Sequence, residues 1–222
     1  MPSPLLFLFD YVSPYSYLAS TQVRALAARH GCNVEAVPVV FGALLGAHGT
    51  RGPAEVAAKR DYLFKDVIRL GRALSVPIEP PATHPFNPLV ALRATVAVAD
   101  AGAATRWALV DALFCAAWVE GRRVDAPEVV QQVASEAGLD GVALVAAAAG
   151  PDAKQRLRAN TEEALAAGVF GVPTVRVEGE LFWGVDSLPH LDAWLAGRGG
   201  IDAEALARWR AVSPSVTRKA GA

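Results

Sequence analysis

Residues Leu5 to Ala19 read LLFLFDYVSPYSYLA, and the fold is decided there. Leu5 to Phe9 is a continuous apolar run of strand length, far too short to span a bilayer and closed at once by Asp10. Such a run predicts a strand buried on both faces. Ser13-Pro14 then predicts a helix start, because serine is a favoured N-cap and proline suits the first helical position. The free N–H groups of that first turn would lie beside the Ser13 hydroxyl and favour an anion. On this pattern alone Ser13 either caps and nothing more, or caps and also faces a ligand.

Downstream of the turn, Tyr15, Ala19, Val23, Leu26 and His30 recur at helical spacing, and Gly31 offers a stop. Val34 to Val40 is rich in valine and predicts a second strand, so the first forty residues form a strand–helix–strand unit with parallel pairing. From Phe41 to about Asn160 strand signals vanish. Leu63, Val67, Leu70 and Leu74 make one helical stripe, and Gly102, Gly121, Gly138 and Gly150 stand where successive helices should end. The five prolines between Pro77 and Pro88 predict a loop, which carries His84 and Asn87. His84, with no metal-ligand spacing around it, is read as structuring that loop, with substrate contact the alternative.

Thr161 to Gly168 predicts one more helix, followed by Gly171-Val172-Pro173-Thr174 and a strand at Val175 to Val177. A proline just before a strand is either an edge-strand start or a cis turn, and spacing does not choose between them. Glu178-Gly179-Glu180 suits a hairpin that returns Leu181 to Trp183 antiparallel. Gly184-Val185-Asp186-Ser187 then opens a helix running to Gly197, in which Asp186 or Ser187 is either a plain cap or a ligand group. Ile201 to Val212 predicts an amphipathic helix, with a frayed tail from Ser213. The expected organisation is an α/β domain of residues 1–40 and 161–222, with residues 41–160 inserted as an all-helical domain.

Composition narrows the function classes. The 222 residues are 53% hydrophobic and carry a formal net charge of -1 without clustering of either sign, which argues against disorder and against a nucleic-acid or anionic-membrane footprint. A small-molecule partner is expected. Cys32 and Cys115 are far apart in apolar or small-residue settings, as buried thiols of a reducing compartment would be. With no basic leader before a cleavable apolar region, the cytoplasm is the expected location.

The string Asp-Tyr-Val-Ser-Pro-Tyr-Ser-Tyr-Leu-Ala, together with Gly-Val-Phe-Gly-Val-Pro-Thr and Leu-Phe-Trp-Gly before Asp186, resembles the 2-hydroxychromene-2-carboxylate isomerases and the kappa-class glutathione transferases. These share the thioredoxin-like fold of the DsbA family. Where the disulfide-exchanging members carry two cysteines, this chain has Ser13 and Ser16, so a thiol must come from outside. The resemblance implies that glutathione supplies it and that Ser13 donates a hydrogen bond to its sulfur. It also implies a cis Val172–Pro173 bond, with the Val172 backbone pairing the peptide part of glutathione as an added strand. Lys59 is implied for the glycine carboxylate, and Asp186 and Ser187 for the γ-glutamyl end. Thr50, Val185 and Ser187 depart from residues common in relatives, and one side-chain contact to the γ-glutamyl group is expected to be missing. The implied activity is interconversion of a chromene hemiketal acid and an open-chain benzylidenepyruvate by a cytoplasmic homodimer. A kappa-like transferase and a non-catalytic binder of peptide-like thiols are the alternatives.

Overall fold

The computed structural model describes residues 4–216. Strand β1 (Leu5–Phe9) lies inside a four-stranded sheet of order β2-β1-β3-β4, with β2 at Val34–Pro38, β3 at Thr174–Val177 and β4 at Glu180–Trp183. It runs parallel to β2, with Leu8 opposite Val37, and antiparallel to β3, with Leu8 opposite Thr174. Side chains alternate across a strand, so both faces of an interior strand need apolar cover. Leu5, Phe7 and Phe9 point into the main core, while Leu8 joins a smaller cluster with Val39, Leu44, Ala164, Val169 and Val172. Strand β2 ends at Pro38 rather than Val40, because Val39 and Val40 leave the ladder to lead into the next helix.

The helices are α1 (Pro14–Arg29), α2 (Phe41–Ala47), α3 (Ala57–Leu74), α4 (Leu89–Ala97), α5 (Ala103–Trp118), α6 (Pro127–Glu136), α7 (Gly141–Ala149), α8 (Pro151–Ala166), α9 (Leu188–Leu195) and α10 (Ala203–Arg210). Helix α5 covers the sheet directly: Trp107 stacks on Phe7 at 6.0 Å between ring centroids, and Phe114 lies 5.4 Å from Phe9. Val130 and Val133 of α6 and Leu144 of α7 belong to the same buried cluster, so the helical block shares one core with the sheet.

Three expectations are corrected. The helix foreseen at Thr161 begins at Pro151, since Gly150 both ends α7 and serves as N-cap for Pro151 at the first position of α8. The division at 160/161 therefore falls within one continuous helix. The C-terminal helix is shorter than expected and has no buried residue, and Trp209 is 78% exposed. Of the tail expected from Ser213, residues 217–222 lie outside the described residues. Cys32 and Cys115 are free thiols but only partly buried. The hairpin turn matches its reading, with Glu178 (φ 51°) and Gly179 (φ 86°) both left-handed. No helix among the described residues is long and apolar enough to cross a membrane.

Candidate active site

The segment leaving β1 is organised around Ser13. This residue is the N-cap of α1, in extended backbone (φ -94°, ψ 114°), and its Oγ accepts from the Ser16 N–H at 3.1 Å. It is 6% exposed. Among the described residues its hydroxyl hydrogen has no acceptor, so one donor remains at the helix N-terminus, where the macrodipole favours negative charge. Ser16 Oγ is buried beside it, without a partner among the described residues. Beneath the turn lies Asp10, whose Oδ1 accepts from Val12 N–H at 3.0 Å and Oδ2 from Phe41 N–H at 2.9 Å. Burial pushes its carboxyl up to about 7, against the lowering effect of those two N–H groups.

The helical block grips the same turn from the other side. Trp118 Nε1 donates to the Tyr11 carbonyl at 2.8 Å, and Tyr17 donates to the Pro77 carbonyl at 2.7 Å. His84 Nε2 lies 3.0 Å from the Val12 carbonyl and must carry the hydrogen, with its ring edge-on to Trp118 and Phe64. Burial lowers its pKa, so the imidazole is held neutral. His84 thus fastens the proline-rich loop to the turn, as the loop-structuring reading expected. Asn87 is exposed, and its Oδ1 accepts from Leu89 N–H within that loop.

On the open side of α1 a cavity of about 320 Å³ is lined by Tyr15, Pro53, Ala58, Lys59, Tyr62 and Leu63. Tyr15 donates to Asp66 Oδ2 at 2.8 Å, and burial together with the Asp66 charge raises its pKa, so the phenol stays neutral. Lys59 is exposed and forms no ion pair among the described residues.

The Val172–Pro173 bond is cis. Because β3 runs antiparallel to β1, its Pro173 end lies at the end of the sheet from which β1 leads to Ser13. Val172 is buried, and neither its N–H nor its C=O has a hydrogen-bond partner among the described residues. A Cβ at Gly171 would stand 2.7 Å from Trp183 Nε1, so any larger residue there would have to displace the indole. Gly184 N–H donates to the Pro173 carbonyl at 2.9 Å and ties the 3-10 turn Val185–Ser187 to the proline.

Asp186 is exposed, caps no helix, and its charge reaches Tyr15. Ser187 donates to the Gly184 carbonyl at 2.8 Å, which leaves it only acceptor capacity toward a ligand. The structure therefore brings Lys59 beside Tyr15 in one cavity, with Tyr15 two residues past Ser13 in the first turn of α1 and within reach of the Asp186 charge. Asp10 and the Tyr15–Asp66 pair were missed in the sequence. Only Asp10 left a signal there, as a lone carboxylate directly after an apolar strand.

Comparison with known proteins follows the same outline. A family model for the DSBA-like thioredoxin domain matches residues 5–196. Over 191 residues the chain is 30% identical to a 2-hydroxychromene-2-carboxylate isomerase of Sphingobium xenophagum, covering 85% of this chain and 96% of that one. It is 32% identical to Glutathione S-transferase kappa 1 of Caenorhabditis elegans over 76 residues, 34% of each chain. A solved 2-hydroxychromene-2-carboxylate isomerase structure superposes with a TM-score of 0.77 at 26% identity, over 94% of this chain and 98% of that one.

Proposed function

This chain belongs to the DSBA-like thioredoxin domain family and, within it, to the 2-hydroxychromene-2-carboxylate isomerase family, and on that premise we propose that it is a glutathione-dependent isomerase. Its substrates are hemiketal acids of the 2-hydroxychromene-2-carboxylate type and the corresponding trans-o-hydroxybenzylidenepyruvates. The observation that carries the reading is the Ser13 hydroxyl, an N-cap whose hydrogen is still available at the start of α1.

The residues present fit glutathione. Val172 offers a backbone N–H and C=O without partners among the described residues, the pair that an extended peptide takes up as an added strand. Lys59 receives the glycine carboxylate, and Asp186 receives the γ-glutamyl ammonium. Ser187 can accept from the same ammonium. Glutathione, when bound, supplies a thiolate that adds to the conjugated double bond of the substrate and leaves again after rotation.

The chain's own part is to keep that sulfur ionised. The Ser13 hydroxyl donates to it, and the α1 N-terminus lowers its pKa from the free thiol value of about 8.5. Ser13 does not attack carbon, because no base accepts its hydrogen among the described residues. Tyr15, Tyr62 and Leu63 give an aromatic substrate an apolar wall. The reading includes a cytoplasmic homodimer, and sedimentation tests the assembly: a monomer would remove that part.

The test is to incubate the protein with the chromene carboxylate, with and without glutathione, and follow the ultraviolet spectrum. Interconversion that needs glutathione yet leaves its concentration unchanged is expected. Consumption of glutathione with standard electrophiles would instead favour a kappa-like transferase. Binding without turnover of either substrate class would favour a non-catalytic binder.

A further inference from the structure

We propose that Asp10 is a positioning residue for the thiol-facing turn: its ionised carboxylate clasps the turn that carries Ser13 to the start of α2, and protonation opens the clasp. Asp10 is 1% exposed and is the one charged side chain in the core of the described residues. A buried carboxylate without a cation is costly, and a neutral side chain would be cheaper at a purely structural position. Two backbone N–H groups offset part of that cost for the ionised form. One oxygen accepts from Val12, inside the turn, and the other from Phe41, the first residue of α2 and 31 positions away. The Asp10 carbonyl also accepts from Ser13 N–H at 3.1 Å, so Ser13 is anchored through the same residue.

The two N–H groups need two acceptor oxygens, and only the ionised carboxyl presents both without a hydrogen of its own. Protonation makes one oxygen a hydroxyl that must itself donate, and Val12 and Phe41 offer it no acceptor there. The Ser13 turn or the start of α2 then has to shift. Burial brings the group's titration up to about 7, so the clasp closes in the range where a thiol site begins to work.

Of the titratable groups at the turn, His84 sits on the Val12 carbonyl, and burial keeps its imidazole neutral and its titration below the ordinary histidine range. Tyr11, next in sequence, donates its phenol to Thr95 Oγ1 and remains neutral. Ser13 from α1, Phe41 from α2, and Thr161 of α8, which accepts from Val40 N–H, bring no charge. No lysine, arginine or histidine acts on the carboxyl among the described residues.

The part of this inference that concerns a bound thiol rests on the function proposed above; the clasp itself does not. In the protein without ligand, the amide resonances of Val12 and Phe41 should move together with one midpoint near neutral pH, alongside a carboxyl band that titrates in difference infrared spectra. Asp10→Asn should lose both signals, because a carboxamide does not ionise in this range, and its NH2 group would also stand opposite one of the two N–H donors. With glutathione bound, the thiolate absorbance of Asp10→Asn should titrate about one pH unit higher than in wild type, the size of one weakened hydrogen bond to a charged group. Val12 and Phe41 amides that stay still or titrate apart in the wild-type protein would overturn the clasp, whether or not the variant folds. An unchanged thiolate titration in a folded variant would overturn the positioning role. Failure of glutathione to bind at all would count against the proposed function, while the amide titration would still decide the clasp.

Discussion

Replacing Ser13 tests two roles that the structure assigns to one hydroxyl. Its oxygen accepts the Ser16 N–H at 3.1 Å as an N-cap, and its hydrogen is free to donate to a bound thiolate. Ser13→Ala removes both. Loss of the cap costs about 1 kcal/mol of stability, equivalent to about 2–4 °C in melting temperature for a chain of this size. Loss of a hydrogen bond to a charged group costs roughly 1.5–3 kcal/mol, a rate decrease of about 10- to 150-fold at 1.36 kcal/mol per factor of ten.

Glycine separates the two roles, because it caps nearly as well as serine, within a few tenths of a kcal/mol, yet has no hydroxyl. Ser13→Gly should therefore stay close to wild-type stability and show the same rate loss as Ser13→Ala. The assays are thermal denaturation, glutathione-dependent isomerisation, and ultraviolet titration of the bound thiol, whose pKa should rise in both variants. Activity should persist, since the α1 N-terminus still favours the anion. Complete loss of turnover with an unchanged thiol titration would mean that Ser13 attacks covalently, and the donor reasoning would be refuted.

Lys59→Met should weaken glutathione binding by at most about fivefold, the range of an exposed ion pair, and leave the bound thiol's titration in place; calorimetry that finds no weakening would remove Lys59 from the site. Trp118→Phe leaves the Tyr11 carbonyl without its 2.8 Å donor and should cost about 1–3 kcal/mol, read as a lower urea midpoint; an unchanged midpoint would mean that the helical block does not hold the turn. For Asp10 the folded-state pKa, about 7, stands above its ordinary 3.8, so the folded protein holds the proton more tightly. Its contribution to stability is full at low pH and falls as pH rises from about 4 to about 7, by up to about 4 kcal/mol. The stability difference between wild type and Asp10→Asn, measured by denaturant across that window, should follow this slope, and a flat difference would show that Asp10 is ionised throughout.

What the sequence by itself determined is local. The double-sided burial of Leu5–Phe9, the start of α1 at Pro14, the stripe of α3 and the Glu178-Gly179 turn each follow from residues within a few positions of one another, because caps, periodicity and turn conformations act at short range. Where a local signal served two purposes, it misled: Gly150 was read as an end and is also a beginning, so the length of α8 was missed.

Only the tertiary structure decided the surroundings of Ser13. Tyr15 meets Asp66 across 51 positions, Val12 meets His84 across 72, and Tyr11 meets Trp118 across 107. None of these pairs leaves a periodic trace in the chain, since a single hydrogen bond selects its partner only after packing has brought the groups together and excluded the water that would otherwise satisfy them. Asp10 shows the boundary between the two. Its place after an apolar strand marked it as unusual, but its partner across the fold, the N–H of Phe41, is delivered by the tertiary structure alone.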